Sequence, residues 1–216
     1  MQISIFNNTF FLHHSGALHW HEQQMLFIAD VHLGKVMHFR KAGIAIPPQA
    51  HLDNFRQLQD VVAYYKPKAV CFLGDLFHSE LNSEWNFFCE WVSGVNTQVI
   101  LVAGNHDILP VSEYLQVEIQ YLPYLQIDKF LFTHHPERKP DLFNFCGHIH
   151  PCVRLQGIGK QFLRVPCFVK KHTQLVLPAF GSFTGMYEID LEKSDQIFAL
   201  GENEVLEVSI KRKGRS

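Results

Sequence analysis

Apolar and polar positions alternate over the first twenty residues ("ISIFNNTFFL", then "GALHW"), the two-residue period of half-buried strands, and predict an opening hairpin of edge strands. "QMLFIAD" follows as a short apolar strand. The period then changes. Over 49–65 ("QAHLDNFRQLQDVVAYY") apolar side chains recur at Leu52, Phe55, Leu58, Val61, Val62 and Tyr65, mostly three or four apart, which predicts a helix. "AVCFLGD" is the next strand. A second helix is predicted in "NSEWNFFCEWVSG", with Asn82 or Ser83 as its cap and Gly94 as its stop. "TQVILVAGNHD", "KFLFTHH" and "LFNFCGHIH" read as three further strands. After residue 151 the helical period disappears, and "FLRVPCFVKK", "TQLVLPAFG", "TGMYEIDLE" and "QIFALG" predict consecutive strands. Strands alternating with helices, followed by strands alone, predict an α/β fold of two packed sheets with helices outside.

Composition narrows this without changing it. The 216 residues, 47% of them apolar, suffice for one sizeable domain with a true core and are few for two. No linker, repeat or low-complexity run divides the chain, so residues 1–210 are expected as one domain, with 211–216 a basic, solvated tail. A formal charge of −2 excludes a polycation that coats nucleic acid, so phosphate binding has to be local. No apolar run is long enough to cross a membrane, and the N-terminus lacks a signal-peptide pattern. The five scattered cysteines (Cys71, Cys89, Cys146, Cys152, Cys167) suggest free thiols in a reducing cytoplasm, and without a Cys-x-x-Cys pair a zinc–thiolate site has no support.

The chemistry lies where the strands stop. Five apolar runs lead directly into metal-type side chains: "LFIADVH" into Asp30 and His32, "VCFLGD" into Asp75, "ILVAGNHD" into Asn105 and His106, "FLFTH" into His134, and "FCGHIH" into His148 and His150. Functional groups gather at the carboxyl ends of strands in α/β sheets, because loops converge there from rigid supports. Carboxylate, imidazole and amide oxygen without thiolate suit Mn, Fe or Zn. Eight groups exceed the needs of one ion, whereas two ions sharing a carboxylate would use nearly all of them. Two dications set against Asp30 and Asp75 leave a residual charge of about +2, which attracts an anionic substrate and acidifies a water; this is the arrangement that hydrolyses phosphate esters. The Asp-x-His and His-x-His spacings are expected to put both side chains on one side of an extended segment.

These motifs resemble those of the calcineurin-like metallophosphoesterases, whose ordered signature appears complete as "DVH", "GD", "GNHD", "THH" and "GHIH" over residues 30–150. The resemblance implies a four-layer αββα sandwich of two mixed sheets flanked by helices. It implies one metal on Asp30, His32, Asp75 and His150, a second on Asp75, Asn105, His134 and His148, and His106 as the imidazole that contacts the phosphate and assists the leaving oxygen. Strand register favours His134 over His135 as the ligand. A closer resemblance covers nearly the whole chain. "DVHLGKVMHFRKAGIAIP", "FLGDLFHS", "GHIHPCVRLQG", "RVPCFV" and "LPAFGSFTG" are similar to the ligase-associated DNA damage response phosphoesterases of bacteria. That implies a manganese-dependent phosphodiesterase or endonuclease in DNA repair, with an ATP-dependent DNA ligase and a helicase as partners.

"GDLFH" puts His78 where many phosphatases of the superfamily carry aspartate. It is similar to the repair nucleases, which favours diesters and makes His78 a catalytic partner of His106. Lys35 and Arg40 are candidates to hold substrate phosphate, and Arg154 and Arg164 would extend that surface. Asp107 is expected to support its loop by hydrogen bonding. His13, His14, His19, His21, His51 and His172 fit no motif and are expected on the surface or on strand faces. The "RLQG…RVPCFV" segment is an edge through which two chains could pair. A phosphatase or nucleotide hydrolase for small phosphate esters would use the same site. A scaffold that had lost its metals would show degenerate ligands, and none is degenerate here.

Overall fold

The computed structural model describes residues 1–35, 50–77, 83–157, 161–182 and 184–209; Arg40, His78 and the basic tail lie outside them. A first sheet runs β1 (Gln2–Ile5), β2 (Asn8–Leu12), β3 (Leu18–Trp20), β4 (Met25–Ile28), β5 (Ala69–Leu73), β6 (Gln98–Val102), β7 (Gln120–Leu122) in spatial order. It is antiparallel from β1 to β4 and parallel from β4 to β7. The second sheet contains β8 (Leu125–Ile127), β9 (Phe130–Thr133), β10 (Phe143–Cys146), β11 (Pro151–Gln156), β12 (Phe162–Lys170), β13 (Gln174–Val176), β14 (Tyr187–Glu188), β15 (Gln196–Leu200) and β16 (Val205–Val208). Its main path is β14-β11-β12-β13-β10-β9-β8, with β15 and β16 added through β12. Both sheets are mixed, and the expected α/β sandwich of two sheets with helices outside is observed.

Alternation along β4, β5 and β6 explains the layering. Phe27, Cys71, Leu73, Ile100 and Val102 face the second sheet, packing with Phe130, Phe132, Phe143, Phe145 and Phe168. Their neighbours Leu26, Ile28, Val70, Phe72, Val99 and Leu101 face the helices α1 (Ala50–Tyr65), α2 (Ser83–Gly94) and α3 (Val111–Gln116) through Phe55, Leu58, Val61, Phe88, Trp91 and Tyr114. A strand covered on both sides has to be apolar throughout, and "AVCFL" is. Between the sheets phenylalanines interlock: Phe27 and Phe132 stack with ring centroids 4.1 Å apart, and Phe10 and Phe145 lie 4.9 Å apart. Each fully buried ring contributes roughly 1.5–3 kcal/mol, which accounts for the aromatic content without a base-stacking role.

Helix α1 ends as its sequence dictates. The Lys66 N–H donates to the Val62 carbonyl (2.8 Å), Lys66 adopts a left-handed φ of 46°, and Pro67 cannot continue the helix. All three described helices pack on the first sheet; among the described residues the outer face of the second carries none, and its apolar residues pack with Ile189, Leu191 and Val208. The "RLQG…RVPCFV" segment forms a hairpin of β11 and β12; β14 pairs onto the start of β11, and β15 onto Cys167–Lys170. All five cysteines are free, and no described helix is long and apolar enough to cross a membrane.

Candidate metal centre

Three parallel strands of the first sheet and two of the second end at the same place. β4 leads to Asp30 and His32, β5 to Asp75, β6 to Asn105 and His106, β9 to His134, and β10 to His148 and His150. Asp30 and Asp75, at 0% and 2% exposure, form the floor. Around Asp75 stand His134 (Nε2 to Oδ1, 3.3 Å), His32 (Nε2 to Oδ2, 3.7 Å) and His106 (Nε2 to Oδ2, 4.0 Å). Around Asp30 Oδ1 stand His150 Nε2 at 3.3 Å and His134 Nδ1 at 3.9 Å. Asn105 Oδ1 lies 2.9 Å from His134 Nε2, and His148 Nδ1 lies 3.2 Å from it.

The hydrogen bonds behind these side chains decide which atoms face inward. His134 Nδ1 donates to the Leu73 carbonyl (3.0 Å), which turns Nε2 toward Asn105 Oδ1 and Asp75 Oδ1. One nitrogen and two oxygens of metal-ligating type thus converge, a set that a cation would hold together. His150 Nδ1 donates to the Gly185 carbonyl (3.2 Å), leaving Nε2 toward Asp30. Asp30 Oδ1 is buried with no hydrogen-bond partner among the described residues, while Oδ2 accepts the His148 N–H (2.8 Å). Burial, then the neighbouring imidazoles of His135 and His134, lowers the His148 pKa and favours the neutral, ligating form. A pair of buried carboxylates ringed by imidazoles and, among the described residues, without lysine or arginine ion pairs fits divalent cations. Among the described residues, three sets of side chains have ligand atoms close enough to hold an ion: Asp30–His32–His150, Asp30–Asp75–His134 and His134–His135–His148.

The backbone bends sharply to do this. Asp30, His32, Asp75, His148 and His150 all have left-handed φ angles, from 50° to 68°. Such conformations cost on the order of 1–3 kcal/mol each for residues with a Cβ and concentrate at functional sites. They also correct one expectation. The paired residues of Asp-x-His and His-x-His do not lie on extended backbone, each being on a curled loop beyond its strand; Asp30 and His32 still converge on one set, whereas His148 and His150 diverge, the first toward His134 and His135, the second toward Asp30 and His32. Close approach requires glycine here. A Cβ on Gly74, whose φ is 78°, would overlap the His134 ring, and one on Gly104 would overlap Asp75.

Asp107 ties two of these loops together. Its Oδ2 accepts the N–H groups of Asp75 (2.9 Å) and Gly104 (2.8 Å), and its Oδ1 those of Leu76 (2.9 Å) and Phe77 (3.1 Å). Burial pushes its carboxyl up to about 6 against the pull of the N–H groups. Two further supports have weaker sequence signals. Buried Asn54 of α1 bonds the Val31 carbonyl (3.4 Å) and the Ser182 N–H (3.1 Å), and buried Glu84 of α2 accepts the Gly34 N–H (2.8 Å). A polar residue on an otherwise apolar helix face is the only trace either leaves in sequence.

Of the other candidates, Lys35 is half-buried at the site; burial lowers its pKa, and the carboxylates of Asp75 and Asp30 oppose that shift. Arg40 and His78 fall outside the described residues. His135 is exposed, its ring centroid 4.0 Å from that of His148. His13, His14, His19 and His21 cluster with Phe11, Tyr64 and Tyr65, apart from the carboxylates.

Residues 24–200 match the family profile of the calcineurin-like phosphoesterases. The chain belongs to that family. It is accordingly a metal-dependent phosphoester hydrolase. The chain has no significant match among curated proteins. Among solved structures, the Pseudomonas putida nuclease MPE is 24% identical, superposes with a TM-score of 0.76, and is matched over 96% of this chain and 99% of its own. That likeness establishes the fold. More distant are AQ665 of Aquifex aeolicus (20% identity, TM-score 0.43, 58% of this chain and 78% of that one) and the E. coli phosphoesterase Yfce (14%, 0.41, 87% and 99%).

Proposed function

We propose that this phosphoesterase is a two-metal phosphodiesterase that cleaves nucleic acid, with manganese as its preferred ion, in DNA repair alongside an ATP-dependent ligase and a helicase. The observation that carries the reading is a buried pair of carboxylates, Asp30 and Asp75, ringed by imidazoles. In this reading Asp75 serves both ions, with Asp30, His32 and His150 completing one set and Asn105, His134 and His148 the other. Its carboxylate oxygens, 3.7 Å from His32 Nε2 and 3.3 Å from His134 Nε2, support that sharing. Bound divalent ions would supply charge neutralisation at the phosphate and a lowered pKa for the attacking water.

The protein's own groups do the rest. His106 has its backbone fixed by donating its N–H to Asp75 Oδ1 (2.9 Å), while its ring is 46% exposed at the mouth. An imidazole so held reaches a substrate oxygen above the carboxylates and gives the leaving group its proton. Lys35 adds a positive charge at the same rim and draws the phosphate in. His78, following Asp75 by three residues in "GDLFH", is proposed to act beside His106. The exposed His106 ring beside the carboxylates supports a substrate that reaches in from solvent, and the neighbour of the same fold from Pseudomonas putida is a nuclease. The repair assignment and both protein partners rest on the sequence resemblance.

Hydrolysis rates with manganese on a chromogenic diester, a chromogenic monoester, mononucleotides and single-stranded DNA test the proposal. Cleavage of the diester and of DNA is expected. Activity confined to monoesters or mononucleotides would replace it with a small-molecule phosphatase.

A further inference from the structure

The ribbon that leaves the metal centre carries an arrangement that the chemistry at its base does not explain. β11 begins at Pro151, next to His150, and β14 is tied to the same turn, the Tyr187 N–H donating to the His150 carbonyl (3.0 Å). Along β11 and β12 the register places Arg154 directly opposite Arg164, and Gln156 opposite Phe162. Arg154, Arg164 and Phe162 therefore share one face of the hairpin, because cross-strand partners point the same way and positions two apart agree. The opposite face carries Val153, Leu155 and Val165, which pack on the second sheet.

Two arginines directly across a strand pair repel, and like charges there destabilise a sheet. Glu188 offsets one of them, accepting from Arg164 Nε at 3.0 Å. Arg154 has instead an aromatic contact, its guanidinium carbon 3.7 Å from the centroid of the Phe162 ring. A cation–π contact holds the guanidinium without using its N–H donors, and those donors bind phosphate in a fork. Phe162 is 52% exposed and Tyr187 62%, so both rings keep surface on which a base can stack. Arg154 lies three residues beyond Pro151, about 10 Å along the ribbon, too far for a single phosphate held at the centre to touch.

We infer that the β11–β12 hairpin is a docking arm for a single-stranded nucleic acid, with Arg154 and Arg164 holding backbone phosphates flanking the scissile bond and Phe162 stacking on a base. The inference rests on the nucleic-acid reading above and specifies where the polymer runs. Cations on a track with exposed aromatic rings match the alternation of phosphate and base, and the polyanion relieves the arginine–arginine repulsion.

The test uses the manganese-loaded full chain and a fluorescein-labelled phosphorothioate 12-mer, which resists cleavage, with anisotropy read between 50 and 200 mM salt. Arg154→Gln and Arg164→Gln should each weaken binding and each reduce the slope of log affinity against log salt by about 0.7, the value for one lost single-strand phosphate contact. Arg154→Lys should keep the slope, and Phe162→Ala should weaken binding roughly fivefold or more with the slope unchanged. A merely structural role would not separate slope from affinity in this way. Variants that bind with the affinity and slope of the unmutated protein overturn the inference and leave the nuclease reading intact. An unmutated protein that does not bind the oligomer strikes the nucleic-acid reading, and the inference falls with it.

Discussion

Replacing Asp107 by asparagine changes one atom, yet it should loosen the whole centre. The carboxylate accepts four backbone N–H groups, two per oxygen, from the loops that carry Asp75 and Asn105. In the amide, one oxygen becomes an NH2 group that faces two N–H donors, those of Asp75 and Gly104 (2.9 and 2.8 Å) or those of Leu76 and Phe77 (2.9 and 3.1 Å). Two buried donors lose their acceptor, and each costs about 1–3 kcal/mol. A loss of about 3 kcal/mol, at roughly 2–4 °C per kcal/mol for a chain of this size, lowers the melting temperature by roughly 6–12 °C. Because the loosened loops present the ligands, manganese affinity should fall about 10–100-fold, as it does when partners behind ligating residues are removed. Thermal melting in EDTA isolates the first effect, and calorimetric titration with manganese measures the second. A melting temperature within 2 °C of the unmutated protein, together with unchanged manganese affinity, would refute the argument.

Two other perturbations separate roles that geometry alone assigns together. His106→Gln should keep metal content and melting temperature while lowering turnover of the diester by about 10²–10⁴-fold, the range for a lost proton donor; turnover within tenfold would remove His106 from the chemistry. His13, far from the centre, has its pKa lowered to about 4 by burial, with His14 and the N-terminal amine adding to the shift, and its Nδ1 accepts the Ser15 N–H (3.2 Å). Between pH 6.5 and about 4 the unfolded chain binds the proton that folded His13 refuses. Its contribution is therefore present above 6.5 and is lost as the pH falls toward 4. Melting temperature should decline less steeply over that window in His13→Gln, and parallel profiles would contradict the assignment.

Much of this was legible because hydrophobic periodicity reports burial. The apolar spacing of Phe55, Leu58 and Val61 placed α1, and the unbroken apolar run "AVCFL" placed a strand covered on both faces. The short elements were not legible: α3 (Val111–Gln116) is under two turns, and β7 and β8 are three residues each, too brief for any period to register. At the centre, the donors could be named from residue type and from their position after strands. How they converge could not. The left-handed backbone at Asp30, His32, Asp75, His148 and His150 is imposed by tertiary contacts, such as the Asp30 carboxylate on the His148 N–H, and local propensity opposes it. His135 illustrates the remainder: strand register ranked it below His134, and the fold nevertheless brings it against His148.

The most direct test of the central claim is the number of manganese ions bound per chain, measured by metal analysis after dialysis, for the unmutated protein and for Asp75→Asn. Two ions in the first and a loss from both positions in the second are predicted, because both ligand groups meet at that carboxylate. A single ion in the unmutated chain, or two ions retained by Asp75→Asn, would contradict it.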